Sequence, residues 1–150
     1  MRERKRVLAV ASSGGHWVQL RRLRPAFEGC DVAYLTTDPG HGDEVTPARF
    51  YTARDASRWN KLGLLVSAAK IAWVVLRERP DVVISTGAAP GYFAIRFGRL
   101  LGARTMWIDS IANVEELSLS GRMASRRAHL CLTQWPHLAG GAVRHEGAVL

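Results

Sequence analysis

Three short segments of this 150-residue chain carry the side chains best suited to chemistry. The first is Ser12-Ser13-Gly14-Gly15-His16, directly after the apolar run at residues 6–11. Glycines at the carboxyl end of a strand let backbone N–H groups approach an anion, and the following helix adds the positive end of its dipole. His16 stands on that turn, where an imidazole can serve as a base or a hydrogen-bond donor. The second segment, Ser85-Thr86-Gly87-Ala88-Ala89-Pro90-Gly91-Tyr92, repeats the succession of strand, glycine turn and helix. Two such turns on one sheet edge face one cleft, so together they are expected to hold a diphosphate or a sugar. The third runs from Ile108 to Arg122 and opens on Asp109, which can act as a general base or orient a hydroxyl. Glu115 and Glu116 in that segment read as solvated helix residues. Neither a GxGxxG fingerprint nor a Walker A pattern occurs, and Asp38 offers only a weak ribose-binding acid, which counts against a nucleotide-dependent dehydrogenase.

The elements that must position these residues follow from periodicity. Trp17, Leu20, Leu23 and Phe27 recur at a helical period, predicting a helix over 16–27. Strands are expected at 6–11, 31–36 and, more weakly, 49–52, with a breaker-rich loop at 38–43. Residues 61–79 form the longest helical pattern, ended by Pro80. The nearly all-apolar run at 81–86 suits a strand buried on both faces of a parallel sheet. A helix then ends near Gly102, and further strands are expected at 104–108, 129–133 and within 142–150. Strand, glycine turn and helix in repetition predict a Rossmann-like, doubly wound parallel α/β sheet forming one domain over 1–150.

A hydrophobic fraction of 47% with 23% charged residues describes a globular chain. The net charge of +8 favours anionic partners, but no nucleic-acid reading motif accompanies it, so nucleic acid is not an expected partner. Cys30 and Cys131 lack any metal-ligand spacing and read as free thiols. The basic start and short apolar run are interrupted by Gly14-Gly15 too early for a signal peptide. No stretch reaches the roughly 20 apolar residues of a spanning helix, so a cytoplasmic protein resting on a membrane face is expected. Residues 62–76 are apolar around Lys70, with Arg58, Lys61, Arg77 and Arg79 flanking them. Such a helix packs on the sheet or lies in the membrane interface, and does both if Trp59, Leu64 and Trp73 project outward.

In order along the chain, Ser12 to His16, Pro80 to Gly87, Ile108-Asp109-Ser110, Leu117-Ser118-Leu119-Ser120-Gly121-Arg122 and Gln134-Trp135-Pro136-His137-Leu138 resemble the small subunit of the split sugar transferases. One branch is the Alg-type protein that anchors the UDP-N-acetylglucosamine transferase of dolichol-linked oligosaccharide assembly. The other is the bacterial exopolysaccharide and capsule (PssD-like) family. The resemblance implies a GT-B arrangement cut in two, this chain matching the N-terminal, acceptor-binding half seen fused in the MurG-like transferases. A separate chain then supplies the donor-binding half. It implies inverting, metal-independent transfer from a UDP-sugar to a polyprenyl-diphosphate-linked sugar at the cytoplasmic membrane face, with no cofactor. On that reading His16 or Asp109 deprotonates the attacking hydroxyl, with His16 slightly ahead. Ser13, Gly14, Gly15, Thr86, Gly87 and Ser110 hold the acceptor diphosphate, while Trp59, Trp73, Gln134 and Trp135 touch the partner or the membrane. The alternative is a non-catalytic scaffold that recruits the donor-binding subunit. The family pattern has Glu where this chain has Asp109, and a basic residue where it has Asn113. Relatives continue past Leu150 in a short tail that helps dock the partner, so the chain is expected to be clipped there.

Overall fold

The apolar run Arg6–Ala11 forms β1 and pairs in parallel with β2 (Asp31–Thr36) on one side and β4 (Val82–Gly87) on the other. Adding β3 (Arg49–Thr52), β5 (Arg104–Ile108), β6 (Leu130–Thr133) and β7 (Val143–His145) gives a parallel sheet ordered β3-β2-β1-β4-β5-β6-β7. The computed structural model describes residues 3–57 and 59–149. The order reverses direction between β1 and β4. In doubly wound sheets that switch point opens the crevice where ligands bind.

Helices cover both faces. On one, α2 (Lys61–Glu78), α3 (Ala88–Leu100) and α4 (Leu119–Ser125) enclose a core that includes Leu8, Leu35, Ile71, Val83, Ile95 and Trp107. On the other, α1 (Gly15–Arg22) packs Trp17 and Leu20 against Val7, Ala9, Tyr34 and Ile84. Neighbouring residues of each strand thus serve opposite cores, which is why these strands read as continuous apolar runs.

Several boundaries differ from the expectation for local reasons. The helix predicted through residue 27 stops at Arg22, because Pro25 removes a backbone donor and the chain tightens into a 3-10 turn over Arg24–Phe27. The loop at 38–43 is a 3-10 helix over Pro39–Glu44, where the Asp38 carboxylate accepts from the Gly40 N–H at 2.8 Å. Helix α4 starts within the third segment and runs past it, unpredicted at these positions, since seven residues give too few turns for a period to show. Asn60 caps α2 by accepting from the Gly63 N–H, and Arg79 ends it in the left-handed conformation. The last strand occupies only Val143–His145 of the expected 142–150. Cys30 and Cys131 are free thiols.

Helix α2 divides its surface. Gly63, Ser67, Ile71, Val74 and Val75 are buried, while Leu62, Leu65, Trp73 and Leu76 form an exposed apolar stripe. Trp59, just before the helix, is 81% exposed, and Trp73 is 48% exposed beneath the cations of Lys70 and Arg77. Leu64, expected to point outward, is half-buried, and Arg58 lies outside the described residues. Among the described residues no helix is long and apolar enough to cross a membrane.

Candidate functional site

At the switch point the two glycine turns lock together. The Thr86 hydroxyl donates to the His16 carbonyl at 2.6 Å, and His16 Nδ1 lies 3.1 Å from the Thr86 carbonyl. A carbonyl only accepts, so Nδ1 carries the hydrogen and, in the neutral ring, Nε2 keeps the free lone pair. This contact exists because residue 87 is glycine. Its φ is +148°, and a Cβ placed there would overlap the imidazole of His16. Ala88 follows at φ 71°, a left-handed conformation unusual for a residue with a side chain, so the turn stores backbone strain beside the imidazole.

The neighbouring backbone is open to a ligand. Gly14, at φ +81°, and Gly15 are exposed, with free space where a side chain would stand. Helices α1 and α3 begin without a side-chain cap, and neither has an acidic residue in its first turn. By contrast, α2 and α4 are capped by Asn60 and Ser118. The leading N–H groups of the two uncapped helices therefore present their partial positive charge at the same sheet edge, a geometry suited to an anion. Ser13 is tied to the end of β2: its N–H donates to Thr37 Oγ1 at 3.0 Å, and the Thr37 hydroxyl donates back to Ser13 Oγ at 3.1 Å.

Asp109, at the end of β5, is 1% exposed. Oδ1 accepts from Trp107 Nε1 at 3.0 Å and from the Ser118 hydroxyl at 2.7 Å. Oδ2 accepts from Asn113 Nδ2 and from the Ser118 N–H, each at 3.1 Å. Gly121 packs against the same carboxylate so closely that a Cβ there would overlap Oδ1. Behind it, burial and then the Asp109 charge push the Cys131 thiol up to about 12, which keeps it protonated and inert at neutral pH.

The third segment reaches helix α1 through Gln19, a residue the sequence reading did not single out. Gln19 Nε2 donates to Ser110 Oγ at 3.1 Å, and Gln19 Oε1 accepts from the Ile111 N–H and from Gln134 Nε2. Gln19 sits three residues beyond His16, among the buried Trp17 and Leu20. A carboxamide on an otherwise apolar helix face was the available signal. Ser110, expected as a diphosphate ligand, is 6% exposed, with Oγ also accepting from the Ala112 N–H. Gln134, expected at a partner or membrane contact, is buried with its amide engaged inside the chain. Trp135 is half-buried and donates from Nε1 to the Ile111 carbonyl at 2.7 Å. The structure thus brings together Ser13, Gly14, Gly15, His16, Thr86 and Gly87, joins Ser110 to them through Gln19 and Asp109 through Gln134, and leaves Trp59 and Trp73 apart on the α2 flank. Glu115 and Glu116 are exposed but lie in a bend ahead of α4, not in the helix expected for them, and Glu116 pairs with Arg122. Among the described residues no three His, Cys, Asp or Glu side chains are grouped to hold a metal ion.

Comparison with known proteins places this geometry in context. The UDP-N-acetylglucosamine transferase subunit ALG14 of Eremothecium gossypii is 26% identical over 167 residues, covering 90% of this chain and 75% of that protein. The corresponding mouse subunit is 27% identical over 179 residues, covering 91% and 78%. Among solved structures, Acinetobacter baumannii MurG superposes with a TM-score of 0.75 at 18% identity, covering 94% of this chain and 45% of MurG. A UDP-N-acetylglucosamine 2-epimerase from Rickettsia bellii gives 0.72 at 11% identity, with 97% and 45% covered. At these identities the two structures share the fold, and the chain spans less than half of either. The family model for oligosaccharide biosynthesis protein Alg14-like matches residues 45–148, more than half of the sequence, and the chain therefore belongs to the Alg14-like family.

Proposed function

We propose that this chain is the acceptor-binding subunit of a two-component, UDP-sugar-dependent glycosyltransferase that acts on a polyprenyl-diphosphate-linked sugar. The observation that carries this reading is the junction of His16 with Thr86 at the switch point, flanked by two uncapped helix N-termini. Support comes from relatives named as subunits of a UDP-N-acetylglucosamine transferase, and from a fold that fills 45% of MurG. On this reading residues 1–150 supply the acceptor half of a GT-B cleft, and a second chain supplies the other.

In this mechanism the N–H groups of Gly14, Gly15 and the start of α3 after Gly87 hold the acceptor diphosphate, while the Gly87 N–H itself donates to Ser85 Oγ. His16, fixed through Nδ1–H, takes the proton of the attacking hydroxyl at Nε2. The hydroxyl oxygen bonds to the anomeric carbon of the donor sugar as the bond to the UDP oxygen breaks, inverting that centre and releasing UDP. Asp109 accepts four hydrogen bonds and holds the loop after β5, so it positions the site and His16 is the base. The donor-binding subunit supplies the nucleotide pocket and, with it, the choice of sugar.

The exposed stripe of α2, with Lys61, Lys70 and Arg77 along it and Trp59 at its start, rests on the cytoplasmic membrane face. The double substitution Leu65→Ser, Trp73→Ser should lower the partition onto vesicles containing anionic lipid by about tenfold or more, since each apolar side chain contributes roughly 1.5–3 kcal/mol when buried. Unchanged flotation would remove α2 from the membrane contact.

The direct test is incorporation of labelled sugar from a panel of UDP-sugars into membrane lipid by this chain, by its donor-binding partner, and by the two together. The expected result is transfer only by the pair. Transfer by this chain alone would overturn the divided-enzyme reading.

A further inference from the structure

A continuous chain of amide hydrogen bonds, buried at Gln19 and Gln134, links the segment after β7 to the acceptor edge. The Val149 N–H donates to Gln134 Oε1 at 2.7 Å. Gln134 Nε2 donates to Gln19 Oε1 at 2.6 Å and to the Asp109 carbonyl at 3.0 Å. Gln19 then engages Ser110 Oγ and the Ile111 N–H, as described above, from the same short helix that carries His16. Both carboxamides are 5% exposed. Their partners come from positions 91 to 115 residues away from Gln19, so local structure does not dictate these contacts.

The bonding pattern is directional. Gln134 spends both of its protons inward and one oxygen on Val149, while Gln19 spends its oxygen twice and a proton once. An apolar residue at either position leaves buried donors without acceptors, and the loop after β5 has no other side-chain tie to α1 among the hydrogen bonds of the described residues. Nothing in this chemistry touches an acceptor or a donor directly.

We infer that Gln19 is a positioning residue: with Gln134 it sets the loop beginning at Asp109 against helix α1, and it transmits the seating of Val149 to the acceptor edge. This deepens the reading above and rests on it for the consequence at the acceptor, though not for the loop itself. A contact that stabilises or displaces the segment at Val149 would thereby tighten or loosen the diphosphate site across the sheet edge.

The test uses amide hydrogen exchange on the full chain, with farnesyl diphosphate as the binding probe. In Gln19→Leu, exchange at residues 110–113 should accelerate about tenfold while β1 and β4 stay within about twofold of wild type, and farnesyl diphosphate should bind at least about fivefold more weakly. Gln19→Glu keeps both acceptor contacts and should restore slow exchange at Ile111. Gln134→Leu breaks the relay from its other end and should reproduce the loosening, which preserves the test if Gln19→Leu fails to fold. Slow exchange at 110–113 in the variants, or an acceleration spread evenly over the sheet, overturns the inference. Loosening as expected in a chain whose wild type does not bind farnesyl diphosphate upholds the positioning role and instead counts against the acceptor-binding function.

Discussion

On the proposed mechanism, replacing His16 with alanine should lower the turnover of the assembled two-chain transferase by about 10²–10⁴-fold, the usual contribution of a positioned general base. Folding should be little affected, because the residue lies at the edge of the sheet and its backbone still accepts from Thr86. The measurement is steady-state transfer with saturating donor and acceptor, alongside thermal unfolding of the isolated chain. A rate within a few fold of wild type removes His16 from the mechanism and leaves a scaffold whose partner supplies the base. Gly87→Ala is the informative companion. Its new methyl group has to displace the imidazole or shift the turn, and the φ of +148° penalises any side chain there. Its activity should fall toward that of His16→Ala although the imidazole is still present, which separates the presence of the base from its placement.

The second large effect is on stability. Removing the Asp109 carboxylate strands the Trp107 indole N–H, the Asn113 amide and both Ser118 donors. Breaking a buried charged network of this kind costs about 3–5 kcal/mol. For a chain of this size, Asp109→Ala should therefore lower the unfolding midpoint by about 10 °C, read by calorimetry or circular dichroism. A shift under about 2 °C would show that the loop after β5 does not depend on this carboxylate. Asp109→Glu is the instructive contrast, since it introduces the residue that the resemblance implies at this position. Gly121 closes the space the added methylene needs, so this variant should also lose stability, by about 1–3 kcal/mol.

That pair of departures shows where sequence reading stops. Asp109 and Asn113 each differ from the pattern the resemblance implies, and in one dimension they look like two separate lapses. In the fold Asn113 donates to Asp109 Oδ2, so the shorter carboxylate and the uncharged partner belong to one contact. The glycine turns were legible because strand, glycine and helix occur in sequence, and each step has a local physical cause. The parallel sheet was legible for the same reason. Helix α4 was not, because seven residues after the cap at Ser118 are too few to show a helical period. Gln19 was hidden for a different reason: its partners at 110, 111 and 134 are brought to it only by the order of the strands. Trp59 and Trp73 were readable as outward-facing, whereas Gln134, read alongside them, is held inside by a partner that no local pattern announces.

The strand order also has a consequence for biosynthesis. β1 and β4 are neighbours in the sheet but are separated in the chain by two strands and the whole of α2, and His16 lies 70 residues from its partner Thr86. Helix α1 leaves the ribosome early, yet its histidine has no carbonyl to fix it until β4 has emerged and displaced solvent from the edge of β1. A truncated or stalled chain ending before residue 82 would carry the first glycine turn without an assembled site. On the proposed function, acceptor capture is thereby reserved for chains that have already closed the centre of their sheet.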